Sequence, residues 1–312
     1  MAPTAIDRDG AGAMSVRRGA SDQLVVVRIS FFGNLSAIFM KLLEGKRAVV
    51  AGVANKRSIA WGIARAFHEH GAQVALTCVD SSAKRVAKLA REIDTDIVVP
   101  CDVRDDAAID AVFDRIGATF DGKLDILVHS IAYARLEDMG GEFITVNREG
   151  WNLALEISAY SLVAMARAAR PYMSNAGGGA ILTMSFIGGA RVTPSYNMMG
   201  IAKAALESAV RYLAYDLGPD KIRVNALSPG PIETASSMVV DHFAEALDAT
   251  RQRSPLLANI TTRDVGDVAV FYASDLSRRI TGYTIRVDSG LDILAAGSGT
   301  HPRGVQGTPD AT

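Results

Sequence analysis

Arg47-Ala-Val-Val-Ala-Gly52-Val-Ala-Asn-Lys-Arg-Ser58-Ile-Ala60-Trp-Gly62 reads as a short apolar strand, a glycine turn and the start of a helix. The apolar run has the character of a strand buried on both faces. From Ser58 to His70 the spacing is helical, with Ile59, Ile63, Ala66 and Phe67 on one face. Gly52 permits a tight turn, Ser58 is a good N-cap, and Ala60 is small enough to let the helix approach a sheet. The freed backbone N–H groups and the positive end of the helix dipole suit a pyrophosphate. The spacing departs from Gly-x-Gly-x-x-Gly, so taken alone the segment also fits an ordinary capped helix. Its position after the first strand of a series favours a cofactor turn.

The same alternation continues along the chain. Strands are expected at Gln73 to Cys78, Asp96 to Pro100, Leu124 to His129, Ala180 to Ser185, Arg223 to Ser228 and Thr284 to Asp288. Helices are expected at Ser82 to Ile93, Asp105 to Thr119, Arg148 to Met173 and Tyr196 to Leu217. Continuous apolar strands separated by helices make a parallel sheet covered on both faces. With right-handed crossovers this is an α/β fold, a single Rossmann-type doubly wound sheet.

The 312 residues include 33 Lys+Arg and 34 Asp+Glu, a net charge of −1, and 49% are hydrophobic. That is enough for a large core, and the balanced charge argues against a nucleic-acid partner. Two cysteines, Cys78 and Cys101, give no disulfide framework, which points to the cytoplasm. No histidine forms a metal-ligand spacing with them, so no metal is expected. Residues 1–40 lack clear periodicity before an apolar run from Leu24 to Met40 that carries Arg28 and Asn34. That run is too short and interrupted for a good membrane span, and a secretory signal would place its basic and apolar regions earlier; a weak anchor, a targeting segment and a partner-binding stretch are the alternatives. Met40 as the true start, or residues 1–40 as a dispensable extension, is the plainer reading. Residues 41–296 are expected to form the domain, and 297–312, rich in Gly, Pro, Thr and Ser, a disordered tail.

In such folds ligands sit beyond the carboxyl ends of the strands. Asp80, after the second strand, can accept from an adenosine ribose and repel a 2′-phosphate, or can cap the next helix; this leans towards NADH over NADPH. Asp102, after the third, offers an adenine-edge acceptor or another cap. His129-Ser130-Ile131 brings small residues and backbone to the centre. Thr183-Met-Ser-Phe-Ile-Gly188 is followed by Tyr196-Asn-Met-Met-Gly-Ile-Ala-Lys203, which places a tyrosine and a lysine two helical turns apart on one face. A lysine ammonium there is expected to lower the phenol pKa and to hold ribose hydroxyls, while the phenol donates to a developing oxyanion. An amphipathic helix with a buried Tyr and a surface Lys is the plain alternative.

These residues resemble the bacterial NADH-dependent enoyl-[acyl-carrier-protein] reductases, the divergent branch of the short-chain dehydrogenase/reductases. The likeness runs in order through Gly52-Val-Ala-Asn-Lys-Arg-Ser-Ile-Ala-Trp-Gly-Ile-Ala64, Val128-His-Ser-Ile131, Tyr196 to Lys203, Arg211-Tyr-Leu-Ala214, Arg223-Val-Asn-Ala226, Gly230-Pro-Ile232 and Ile280-Thr-Gly282. The Tyr-x6-Lys spacing separates this branch from ordinary members, whose tyrosine position is Met199 here. The resemblance implies that Tyr196 bonds the thioester carbonyl and that Lys203 holds the nicotinamide ribose. It implies a cofactor lining of Gly52, Ser58, Ile59, Asp102, Val103, Ser130, Ile131, Ile232 and Thr234, and a substrate pocket with Phe186, Tyr196 and Met199. It also implies a mobile lid from Ala235 to Leu247, a homotetramer, and an acidic carrier protein that could meet Arg251, Arg253 or Arg263.

Two positions depart from the family. Phe186 stands where a second active-site tyrosine is usual, and Val79 where Gln is usual. If the missing hydroxyl assists proton transfer, its loss costs roughly a factor of ten to a hundred in rate; if it only packs, little changes. Reduction of trans-2-enoyl-acyl-carrier-protein is the leading function. A related short-chain reductase of another activated enone or carbonyl, and a non-catalytic NAD-binding paralogue, are the alternatives.

Overall fold

Valine at 49 and valine at 50 point to opposite sides of one strand, and both are fully buried. A strand that is apolar at every position needs a cover on each face, and the chain supplies helices to both. The computed structural model describes residues 6–8, 14–16, 41–234, 237–238, 243–295 and 299–301. Its first strands, β1 (Ile6–Arg8) and β2 (Met14–Val16), pair antiparallel as a unit of their own.

The second unit begins with β3 (Arg47–Ala51), α1 (Ile59–Glu69), β4 (Gln73–Cys78), α2 (Ala83–Ala90), β5 (Val98–Pro100), α3 (Asp106–Thr119) and β6 (Ile126–His129). It continues with α4 (Arg148–Leu155), α5 (Ser161–Asn175), β7 (Gly179–Met184), α6 (Asn197–Leu217), β8 (Ile222–Pro229), α7 (Phe243–Arg253), α8 (Thr262–Ala273) and β9 (Thr284–Val287). All neighbouring strands pair parallel, in the order β5-β4-β3-β6-β7-β8-β9. The order reverses between β3 and β6, where a doubly wound sheet opens its crevice. One core layer sets Val50, Val128 and Leu182 against Ile63 and Phe67 of α1 and Val265 of α8. The other sets Val49, Leu127 and Ile181 against Phe113 of α3, Met165 of α5 and Leu206 of α6. Cys78 lies in the first layer and Cys101 in the second, so the two free thiols are on opposite sides of the sheet.

Three local expectations change. The continuous helix from Arg148 to Met173 is broken by a π-helical turn, Glu156–Tyr160. The wider turn carries Ser158, fully buried, which accepts from Tyr133 N–H at 2.9 Å and donates to Tyr133 O at 3.0 Å. A π-turn re-aims side chains that a 3.6-residue period would turn elsewhere. Tyr196 is the N-cap of α6 rather than part of it, with Ser195 before it at φ 59°. Helix α8 went unread, although Thr261-Thr-Arg-Asp264 forms a full capping box, with Thr261 and Asp264 bonding each other's backbone N–H. The run from Leu24 to Met40 lies outside the described residues, as do most of the expected tail and part of the expected lid. Among the described residues no helix is long and apolar enough to cross a membrane.

Candidate active site

The crevice mouth is built first from backbone. Gly52 has φ +95°, and a Cβ there would lie 2.0 Å from Ser130 O and 3.2 Å from Ile131 Cγ1. Only glycine lets the ends of β3 and β6 meet this closely, and the meeting brings Gly52, Ser130 and Ile131 together. Ser58 caps α1 by accepting from Trp61 N–H, and its hydroxyl donates to Asn55 O at 2.7 Å. Among the described residues no protein acceptor takes the N–H groups of Ile59 and Ala60. They are orphan donors at the positive end of a helix dipole, beside the crevice.

The chemical side groups stand at the other half of the sheet, where β7 ends and α6 begins. The Tyr196 ring is seated against Gly188, where an added Cβ would lie 2.5 Å from Tyr196 Cδ1. The Phe186 ring meets it at 4.8 Å between centroids, tilted by 59°. Lys203 is only 4% exposed, and its Nζ donates to Met184 O at 2.7 Å. Burial pushes the Lys203 ammonium down to about 8, while the nearby Glu207 carboxylate pulls it up.

The expected lowering of the phenol pKa does not occur. Burial raises the Tyr196 pKa above its ordinary value. Desolvation disfavours the phenolate, and the Lys203 ammonium is turned to the Met184 carbonyl instead. The phenol keeps its proton at neutral pH, and Tyr196 can act as a hydrogen-bond donor.

The remaining predicted residues divide. Asp102 is bound by its own neighbour: it accepts from Arg104 N–H at 3.1 Å and from Arg104 Nη2 at 2.6 Å, which lowers its pKa. The α3 cap is Asp105, not Asp102, and Val103 is buried in the core layer of α3. Asp80 opens a 3-10 turn without a side-chain cap. Ile232 is buried, and Thr234 exchanges hydrogen bonds with Ser237. Met199 is buried with its sulfur 3.8 Å from Ser158 Oγ. Arg251 pairs with Asp248 at 3.2 Å and Arg263 with Asp267 at 2.8 Å, so both are held within the chain.

Two groups escaped the sequence reading. His129 is fully buried, with Nδ1 2.9 Å from Thr183 Oγ1 and Nε2 2.8 Å from Ser161 Oγ. Burial first, and then the Lys203 charge, push it down to about 3, so it is neutral. Ser185 Oγ donates to Glu207 Oε1 at 2.5 Å. The signal for Glu207 was its place four residues after Lys203, which puts it on the same helix face.

Comparison with known proteins places this geometry. The profile of the family described as enoyl-(acyl carrier protein) reductase matches residues 52–292. The chain is 47% identical over 256 residues to the enoyl-[acyl-carrier-protein] reductase [NADH] of Bacillus subtilis, covering 81% of this chain and 98% of that one. It is 44% identical over 258 residues to the Escherichia coli enzyme of the same name, covering 82% and 97%. Among solved structures, the Bacillus cereus enoyl-acyl carrier protein reductase with NADP+ and an indole naphthyridinone superposes with a TM-score of 0.80 at 47% identity, over 82% of this chain and all of that one. The Anaplasma phagocytophilum reductase in complex with NAD gives 0.79 at 41% identity, over 83% and 98%.

Proposed function

This chain belongs to the enoyl-(acyl carrier protein) reductase family, and on that premise we propose which of its residues carry the reaction. It is an NADH-dependent oxidoreductase that reduces trans-2-enoyl-acyl-carrier-protein to acyl-carrier-protein in fatty-acid elongation. The crevice suits a dinucleotide: orphan N–H donors of Ile59 and Ala60 face it, and the glycine contact at Ser130 brings backbone to its centre. Bound NADH supplies the hydride that adds to the enoyl β-carbon.

The chain's own groups do the rest. Gly52, Ser58 and Ile59 hold the pyrophosphate, Asp102 and Val103 flank the adenine, and Ser130 and Ile131 line the middle. Ile232 and Thr234 stand at the carboxamide end. Lys203 gives one N–H to Met184 O and keeps two for the hydroxyls of the nicotinamide ribose. Tyr196 donates a hydrogen bond from its phenol to the thioester carbonyl oxygen and stabilises the enolate charge that develops there, and a proton taken up from water at the α-carbon completes the reduction. Phe186 fixes the Tyr196 ring, and Phe186 and Met199 shape the pocket for the acyl chain. The observation that carries this reading is the Tyr196 ring, packed against Gly188 and Phe186 at the same sheet end as buried Lys203.

The test is NADH oxidation with a medium-chain trans-2-enoyl-acyl-carrier-protein, run with NADPH and with Tyr196→Phe alongside. Turnover that prefers NADH and requires Tyr196 is expected. Tight NADH binding without turnover, or full turnover by Tyr196→Phe, overturns the assignment. The reading includes a cytoplasmic enzyme and a homotetramer. Tyr212 and Tyr215 on α6, 72% and 82% exposed, support burial of that helix face against a second copy. Sedimentation equilibrium of the full chain checks it, and a monomer at micromolar concentration removes the tetramer.

A further inference from the structure

Lys203 and Glu207 stand one turn apart on α6 and reach back to consecutive residues at the end of β7. Lys203 Nζ donates to Met184 O at 2.7 Å, and Ser185 Oγ donates to Glu207 Oε1 at 2.5 Å. Ser185 is buried, so its hydroxyl has a fixed surrounding from which to hold the carboxylate. The proposed reaction uses neither Ser185 nor Glu207.

We propose that Glu207 is a positioning residue that keeps Lys203 charged for the nicotinamide ribose, and that Ser185 locks its carboxylate in place. The need follows from counting protons. A charged lysine has three donors; after one goes to Met184 O, two remain for two ribose hydroxyls. A neutral amine keeps one donor and a lone pair, and binds the same diol less well. Burial drives Lys203 towards that neutral form, and Glu207 opposes it. Glu156 in the π-turn and Arg191 just beyond Gly189 also lie on or beside elements packed against α6, but of the charged groups Glu207 is the one whose field acts on Lys203. His129 on β6 is held neutral by burial, and Tyr196 at the head of α6 keeps its phenolic proton. Met184 at the end of β7 and Ser185 just after it carry no charge, and the charge that opposes the burial of Lys203 is that of Glu207. Ionic hydrogen bonds to a carboxylate are short and orienting, which is the role of Ser185.

The inference rests on Lys203 holding the ribose, and the experiment separates the two. NADH affinity is measured by fluorescence from pH 6 to pH 10 (roughly the span that brackets an ordinary and a lowered lysine) on the full chain. Wild type, Glu207→Gln, Glu207→Asp, Ser185→Ala and Lys203→Met are compared. In the wild type the affinity falls as pH rises through about 8, where Lys203 loses its proton. In Glu207→Gln the same fall moves about one pH unit lower, the size of a neighbouring countercharge. Glu207→Asp keeps the charge and stays with the wild type. Ser185→Ala, which frees the carboxylate to turn to solvent, moves the fall in the same direction by about half as much. A Glu207→Gln profile that coincides with the wild type overturns the proposal. If that variant does not fold, an unmoved Ser185→Ala profile overturns it instead. A Lys203→Met protein with unchanged NADH affinity overturns the reading of Lys203 itself.

Discussion

The two halves of the crevice are made in different ways. Where β3 ends, the site is backbone: a left-handed glycine, a capped helix start and two orphan N–H groups. Where β7 ends, it is side chains: a buried lysine, a protonated tyrosine, a carboxylate on a serine leash and, from the neighbouring β6, a neutral histidine. The first half binds through shape and a dipole that most side chains do not alter. The second places ionisable groups in low dielectric, where each is sensitive to its neighbours. Substitutions in the first half should therefore act on folding and cofactor affinity through shape, and in the second through protonation, on rate and on how affinity and stability depend on pH.

The largest break expected is on the side-chain half. Tyr196→Phe should lower kcat by about 10²–10³-fold, or about 3–4 kcal/mol of lost transition-state stabilisation. NADH affinity should hold, because the phenol is assigned to substrate; steady-state kinetics and NADH titration check both. On the backbone half, Gly52→Ala should destabilise the fold by about 2–3 kcal/mol through the strained φ alone, and more through the clash with Ser130 O. Thermal unfolding should show a Tm lower by about 5–10 °C, and an unchanged Tm would mean that the two loops separate freely.

His129 sharpens the contrast through pH. Its folded pKa, about 3, lies below the ordinary histidine value, so the unfolded chain takes up a proton that the folded chain refuses. Its contribution is whole above about pH 6.5 and is lost as pH falls, at about 1.4 kcal/mol per unit, or roughly 2 kcal/mol by pH 5. Chemical denaturation of wild type and His129→Asn across that window checks it; equal slopes would show that His129 titrates freely. The smallest effect is expected from Phe186→Tyr. Since Phe186 already packs on Tyr196 at 4.8 Å, restoring the family hydroxyl should change kcat by less than about threefold. A gain of ten-fold or more would make that hydroxyl a proton-transfer group that this chain lacks.

The backbone half was the more legible in sequence. Gly52, Ser58 and the apolar runs around them act through local rules, turn, cap and period, that a short window contains. The side-chain half was legible as positions but not as states. Tyr196 and Lys203 could be placed seven residues apart, yet the sequence reading gave the lysine a phenol to acidify, and the fold gave it the Met184 carbonyl. The helix from Arg148 onward showed its apolar period but not the π-turn, because the bonds from Ser158 to Tyr133 join residues 25 apart in the chain.

From the chain alone came the doubly wound fold, the dinucleotide crevice and the tyrosine–lysine pair, since each is written in local period and spacing. Only the tertiary structure decided that Lys203 turns to the Met184 carbonyl, that His129 is uncharged and that Ser185 holds Glu207 one turn further along the helix. Protonation depends on burial and on neighbours brought from other strands, and neither is a property of any short stretch of sequence.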